Sequence, residues 1–275
     1  MKNRKFTFLG TGTSQGVPII GCPCAVCQSK NKKDKRLRTS AMVSFDLEKE
    51  VLEDGENKNQ VIQNTSNIVI DCGPDFRAQM LRAGVTHVEA VLITHEHADH
   101  IAGIEDLRPF QFRQGHALPV YATPSVQMLL KKRYEYAFLE TLYPGAVQMD
   151  LRTISKNEAF KVGDWDIQPI EVNHGEINVL GFRFDDLTYI TDCKSIEYIE
   201  FKKIIGSRIL VLDALHHTEH HSHMNLQQAL EVVEMVKPEQ AYFVHTNHTM
   251  GLHNIVNRSL PKGVSLAWDG LSFAF

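Results

Sequence analysis

No stretch of this 275-residue chain approaches the ~20 apolar residues that a membrane-spanning helix needs, so a helical membrane protein is excluded. Its start, Met1-Lys2-Asn3-Arg4-Lys5, runs straight into the strand-like Phe6-Thr7-Phe8-Leu9, with no apolar signal core behind the charges. Excess basic charge is also missing. With 29 Lys and Arg against 33 Asp and Glu, the formal charge is −4, which argues against a large RNA or DNA as partner. Cysteine is sparse and odd in number: there are five, three of them crowded into one motif, and that is not a disulfide framework. The chain has no repeat and no low-complexity tract. These absences together predict a soluble cytoplasmic protein.

What is present suits one large domain over 1–275, since 43% of the residues are hydrophobic. Short apolar runs predict strands at 5–9, 41–45, 67–71, 88–94, 118–121, 166–172, 179–184, 187–191, 208–213, 241–244 and 264–268. Helical patterns fit 75–83, 124–136, 196–204 and 225–236, the last capped by Asn225 and closed by Pro238. Many strands with interspersed helices give an α+β or α/β fold, two sheets covered by helices. Residues 46–64 are polar and read as a surface insertion joining two strands. The basic run Lys30–Arg38 reads as a solvated loop.

Chemistry concentrates at residues 95–100, His-Glu-His-Ala-Asp-His, directly after the apolar run Val91-Leu92-Ile93-Thr94. Imidazole and carboxylate suit Zn²⁺, Mn²⁺ or Fe²⁺, and four such side chains in six residues at a strand end are hard to explain by packing. His95 and His97 can converge on one ion, Asp99 and His100 on a second. Three further candidates share the signature of an apolar strand followed by a polar ligand: His174, Asp192 and His245. Of these only Asp192 is a carboxylate able to bridge two ions, and two metals about 3.5–4 Å apart can clamp both oxygens of a displacement at phosphorus.

A second cluster, Cys22-Pro23-Cys24-Ala25-Val26-Cys27, puts three thiols in six residues and forms a knuckle over 21–28. Cys22, Cys24 and Cys27 can wrap one zinc ion, with His248, three residues after His245, as the fourth ligand. Four ligands leave no open position, so this zinc is expected to be structural. Cys72 and Cys193 read as small core fillers. His87, His116 and His253 are expected in core or surface roles. His216, His217, His220 and His221 read as a solvated loop beside the site.

These motifs, in the order Asp71-Cys72-Gly73, His95 to His100, His174, Asp192 and His245, resemble the metallo-β-lactamase superfamily over nearly the whole chain. The resemblance implies an αββα four-layer sandwich. Within the superfamily, Gly10 to Pro18, the cysteine knuckle and the His245/His248 pair resemble the phosphonate-pathway cyclic phosphodiesterases, which open 5-phosphoribosyl 1,2-cyclic phosphate. That likeness implies hydrolysis of a small cyclic phosphodiester by a metal-bridged hydroxide. His95, His97 and His174 would hold one divalent ion, Asp99, His100 and His245 the other, with Asp192 between them, the ions being zinc or manganese. Asp99 and His223 are the expected catalytic residues, His223 as general acid. Asp71 is expected to orient a metal-bound histidine or tie down its corner, and a homodimer is implied. The alternatives are a tRNA 3′-processing endoribonuclease, disfavoured by the acidic 46–64 segment, and a non-hydrolytic relative of the pyrroloquinoline-quinone type, disfavoured by the complete ligand set. The chain departs from the family in that insertion, in the histidine-rich stretch 216–221 and in Asp192-Cys193-Lys194.

Overall fold

The structure, a computed structural model, describes residues 4–46, 65–141 and 143–275; the expected insertion, apart from Asp46, lies outside them. Strands β1 (Arg4–Gly10), β2 (Ser40–Asp46), β3 (Thr65–Ile70), β4 (Ala90–Leu92), β5 (Leu118–Ala122) and β6 (Met149–Thr153) form the first sheet. The second holds β7 (Phe160–Val162), β8 (Trp165–His174), β9 (Ile177–Phe184), β10 (Leu187–Tyr189), β11 (Ile209–Asp213), β12 (Gln240–Val244) and β13 (Val264–Leu266). The last strand, β14 (Ser272–Ala274), returns to pair with β1. Among the described residues, no helix is long and apolar enough to cross a membrane.

The layering follows from the two-residue period of the strands. In β11, Ile209 and Val211 pack between the sheets with Phe6, Phe8, Ile68, Ile70, Phe182 and Tyr189. Leu210 and Leu212, on the opposite face, pack with Leu226, Ala229 and Val232 of the helix Leu226–Val236. In the first sheet Val69 and Val91 likewise face Phe76, Met80 and Phe110 of the outer helices. Both faces of each sheet are buried, so the central strands read as continuous apolar runs rather than as alternation. The result is a helix–sheet–sheet–helix sandwich, the α+β arrangement expected.

Strand direction places the site. β3, β4 and β5 run parallel, as do β10, β11 and β12. Asp71 leaves the C-terminal end of β3, the His95–His100 loop follows β4, and Asp192, Asp213 and His245 stand at or just beyond the ends of β10, β11 and β12. Carboxyl ends of parallel strands open into a crevice where adjacent loops diverge. Here both sheets bring such ends to one edge of the sandwich.

One expectation is corrected. The Lys30–Arg38 run is not a solvated loop, since Asp34 and Arg36 are buried. Arg36 Nη1 donates to Thr11 Oγ1 and Ala267 O, and Asp34 accepts the His253 N–H. Lys33 lies over the Trp268 ring. The basic run is a strut between the N-terminal loop and the C-terminal segment. Arg36 is answered by the Ala267 carbonyl and Arg38 by Asp75, both far away in sequence, while Lys30 and Lys32 stay exposed.

Candidate metal centre

The loop after β4 is held by Asp71. This buried carboxylate accepts the Thr94 N–H at 2.8 Å, the Thr94 hydroxyl at 2.9 Å and the His100 Nδ1–H at 2.7 Å. Bonding through Nδ1 leaves His100 Nε2 free to face the centre. Gly73 allows the close approach: a Cβ there would lie 1.9 Å from the Asp99 carbonyl. Cys72 N–H also donates to His100 O at 2.7 Å, fixing the corner. Three site residues, Asp71, Asp192 and His245, have left-handed backbones with φ of 64°, 52° and 57°. That conformation costs a non-glycine residue free energy, and it aims each side chain back across the strand ends.

The sequence-derived ligands fall into two groups. The donor atoms of His95, His97 and His174 lie within 4.8 Å of one another, and those of Asp99, His100, Asp192 and His245 form a second set within the same limit. Asp192 is the hinge between them. Its Oδ2 is 3.2 Å from His100 Nε2, while Oδ1 is 3.3 Å from His245 Nε2 and 3.7 Å from His174 Nε2. His174 Nδ1 donates to Ser222 O at 2.8 Å, which again leaves Nε2 for the centre.

The electrostatics suit cations. Burial pushes Asp192 up, but His245 and His100 outweigh it and hold the carboxyl well below its ordinary range. Burial pushes His245 down, but Asp192 and Asp99 prevail and raise it to about 9. These carboxylates demand positive charge, which divalent ions would supply in place of protons. Buried His100 Nε2 and His245 Nε2 make no hydrogen bond among the described residues, which a ligand to nitrogen would answer. The donor set therefore fits two divalent cations.

Cys22, Cys24 and Cys27 bring their sulfurs to 3.3, 3.3 and 3.5 Å from His248 Nδ1. A tetrahedral zinc with bonds of ~2.3 Å to sulfur and ~2.0 Å to nitrogen separates such atoms by about 3.5 Å. The Cys27 N–H and His248 bring the Cys24 thiol down to about 6, whereas burial takes Cys27 up to about 11. The knuckle is tied to the other centre through its own loop, where Thr246 N–H donates to Thr11 O and Asn247 N–H to Leu215 O. Thr13 N–H donates to Thr246 O, so the glycine-rich turn serves this loop.

His223 is buried. Its ring centroid lies 4.6 Å from those of both His174 and His245, one member of each group. Its Nδ1–H donates to Asp213 Oδ2 at 2.9 Å. Sequence reasoning missed Asp213, a wholly buried carboxylate that also accepts the Cys193 N–H at 3.0 Å. The signal was available, because Ile209–Leu212 followed by Asp213 repeats the strand-then-ligand pattern of Asp192 and His245. Cys72 and Cys193 are buried, as expected of core fillers. His253 is buried, His116 is exposed, and His87 lies beside Glu89. None of these three joins a metal-capable cluster among the described residues.

The family model described as a beta-lactamase superfamily domain matches residues 66–246. The chain belongs to the metallo-β-lactamase superfamily. A solved structure of a diphosphatase from the PhnP family is 36% identical and superposes with a TM-score of 0.85, covering 99% of this chain and 98% of that one. Zn²⁺-bound PqqB from Methylobacterium extorquens shares the fold, at TM-score 0.75 and 19% identity over 98% of this chain and 100% of that one. The octanoyltransferase of Porphyromonas gingivalis is 34% identical over 264 residues, 96% of this chain but 50% of that protein. The chain thus spans about half the length of the curated relatives it matches. Membership accounts for the fold and for the metal-capable donor groups at its edge.

Exchanging Asp71 for Asn keeps its shape and removes its charge. We expect Asp71→Asn to weaken binding of the ion beside His100 by ~10–100-fold. Metal titration of the purified variant measures this directly.

Proposed function

We propose that the protein is a dinuclear-metal phosphodiesterase that hydrolyses a small, cyclic phosphodiester. The observation that carries this reading is the position of His223, against a ligand of each metal group and held by Asp213. A hydrolase of this kind needs a proton donor beside the ions, on the leaving-group side.

His95, His97 and His174 would hold one ion and Asp99, His100 and His245 the other, with Asp192 shared. When bound, such a pair supplies an activated water and neutralises charge on the phosphoryl oxygens. The chain's own residues do the rest. Asp71 and the Ser222 carbonyl fix the tautomers of His100 and His174. Asp213 holds His223 Nδ1–H, so the proton delivered to the departing alkoxide comes from Nε2. Imidazole suits that task because it can carry and release a proton near neutral pH.

An acyl-transfer chemistry like that named for the longer relative finds less support. Cys72 and Cys193, the two thiols outside the knuckle, are wholly buried, and burial holds both well above the ordinary thiol range. Neither offers an accessible thiolate on which a thioester acyl-enzyme could form.

The test is turnover of 5-phosphoribosyl 1,2-cyclic phosphate against 2′,3′-cyclic nucleotides. Hydrolysis of neither by the fully metallated protein overturns the proposal. His223→Gln should lower kcat by ~10²–10⁴-fold on diesters with alkoxide leaving groups. The loss should be far smaller on p-nitrophenyl esters, whose leaving group departs without a proton.

A further inference from the structure

His95, His100, His174 and His245 turn Nε2 toward the metal centre, so a neutral ring must carry its proton on Nδ1 to act as a ligand there. Three of those protons have acceptors. His100 Nδ1 bonds Asp71 Oδ2 at 2.7 Å, His174 Nδ1 bonds Ser222 O at 2.8 Å, and His95 Nδ1 bonds Thr94 Oγ1 at 3.0 Å. His245 differs. Its Nε2 faces Asp192 Oδ1 at 3.3 Å and Asp99 Oδ2 at 3.7 Å. Its Nδ1 is shielded from solvent and makes no hydrogen bond among the described residues. In front of it, 3.9 Å away, stands Asp213 Oδ1, which is also buried and also lacks a partner. That gap is longer than a hydrogen bond. A buried donor and a buried acceptor left unpaired are costly, and a small turn of the imidazole joins these two.

The backbone holds the pair in place. Strands β11 and β12 run parallel with Asp213 opposite Val244, and the Ala214 N–H donates to Val244 O at 3.0 Å. Asp213 and His245 therefore leave neighbouring strand ends side by side. The other carboxylate oxygen, Oδ2, is occupied by the His223 Nδ1–H at 2.9 Å and the Cys193 N–H at 3.0 Å. The His223 and His245 rings are stacked, with centroids 4.6 Å and planes 15° apart. Two stacked imidazoles thus present Nδ1 to the two oxygens of one carboxylate. A carboxylate has about four lone-pair sites, enough for all three donors.

We propose that Asp213 is a shared positioning residue: Oδ1 orients the metal ligand His245 while Oδ2 orients His223. One carboxylate then sets both the affinity of the Asp99, His100 and His245 group for its ion and the aim of the proton donor. The His223 half rests on the phosphodiesterase reading; the His245 half does not. Asp213 acts only through these two rings and touches no reacting atom.

The test is equilibrium binding of cobalt(II) to protein emptied of its catalytic pair, in the wild type, Asp213→Asn, His223→Gln and the double variant. Asp213→Asn should weaken the ion beside His245 by ~10–100-fold. His223→Gln should bind close to wild type, and the double variant should bind like Asp213→Asn. Wild-type affinity in Asp213→Asn, or an effect that vanishes in the His223→Gln background, overturns the proposal. Turnover separates the two halves. On p-nitrophenyl esters Asp213→Asn should lose activity at limiting metal and regain it at saturation. On diesters with alkoxide leaving groups a loss of ~10²-fold or more should persist at saturation, because His223 is no longer held. Full recovery on both substrates, or on neither, overturns the double role. If Asp213→Asn does not fold, NMR of the zinc-loaded wild type with ¹⁵N-labelled histidine decides. His245 and His223 should each show a downfield Nδ1–H; a His245 Nδ1–H without the shift of a hydrogen-bonded proton overturns the proposal. Neither metal titration nor NMR needs a substrate. Inactivity of the wild type on every diester would therefore sink the phosphodiesterase reading and leave the His245 half to be decided by binding.

Discussion

Asp192→Asn should reduce turnover on the order of 10³-fold or more, equivalent to about 4 kcal/mol of barrier. Asparagine is the informative replacement, because Asp192 sits at φ 52° and asparagine tolerates the left-handed region better than alanine does. The substitution thus removes a charge with little change in backbone preference. That charge lies within 3.2–3.7 Å of donors from both metal groups. Two divalent ions about 4 Å apart repel strongly, and a shared carboxylate is what offsets the repulsion. The variant should therefore lose the catalytic ions yet keep the knuckle ion, whose donors are Cys22, Cys24, Cys27 and His248 alone. Elemental analysis beside a turnover assay reads both halves. Retention of the catalytic ions at wild-type affinity would remove Asp192 from the bridging role.

Cys24→Ser should have the second-largest effect, on stability first and activity second. Structural zinc contributes folding free energy outright, and several kcal/mol lost from a protein of this size is a fall in Tm of roughly 10 °C. Chelation strong enough to empty the knuckle as well as the catalytic pair should bring the wild type down to the melting point of the variant treated in the same way. Activity should fall as well, since only Thr246 and Asn247 separate His248 from His245. Without an ion at the knuckle the end of that loop is released, and the left-handed backbone at His245 loses one of the restraints that hold it. A Cys24→Ser protein with unchanged Tm and zinc content would show that the knuckle is a cluster of reduced thiols.

How much was legible in advance depended on how local each signal was. The knuckle and the His95–His100 loop could be read because ligands a few residues apart must meet whatever the fold. The αββα layering came from resemblance, because both faces of the central strands are buried and their apolar runs carry no alternation. β6, β7 and β14 were missed because they are short strands at sheet edges. Met149-Asp150-Leu151-Arg152-Thr153 has one buried residue, so neither period stands out. β4 proved shorter than the expected 88–94 because Ile93 and Thr94 already belong to the ligand loop, where Thr94 bonds Asp71. Asp213 was read as a strand end. Its role depends on sheet order, since β11 lies between β10 and β12, and a residue at its end must fall between Asp192 and His245. The Lys30–Arg38 strut was misread for a similar reason: its partners Thr11, Ala267 and His253 are close only in space.

Whether the centre cleaves phosphodiesters is decided most directly by hydrolysis of bis(p-nitrophenyl) phosphate. One sample of purified protein would be assayed as prepared, after chelation, and after return of zinc or manganese, with metal content followed throughout. The account predicts turnover that disappears as the catalytic pair leaves, while the knuckle zinc remains, and that returns with the metal. Full occupancy of both groups with no turnover of this ester or of any cyclic diester would contradict it.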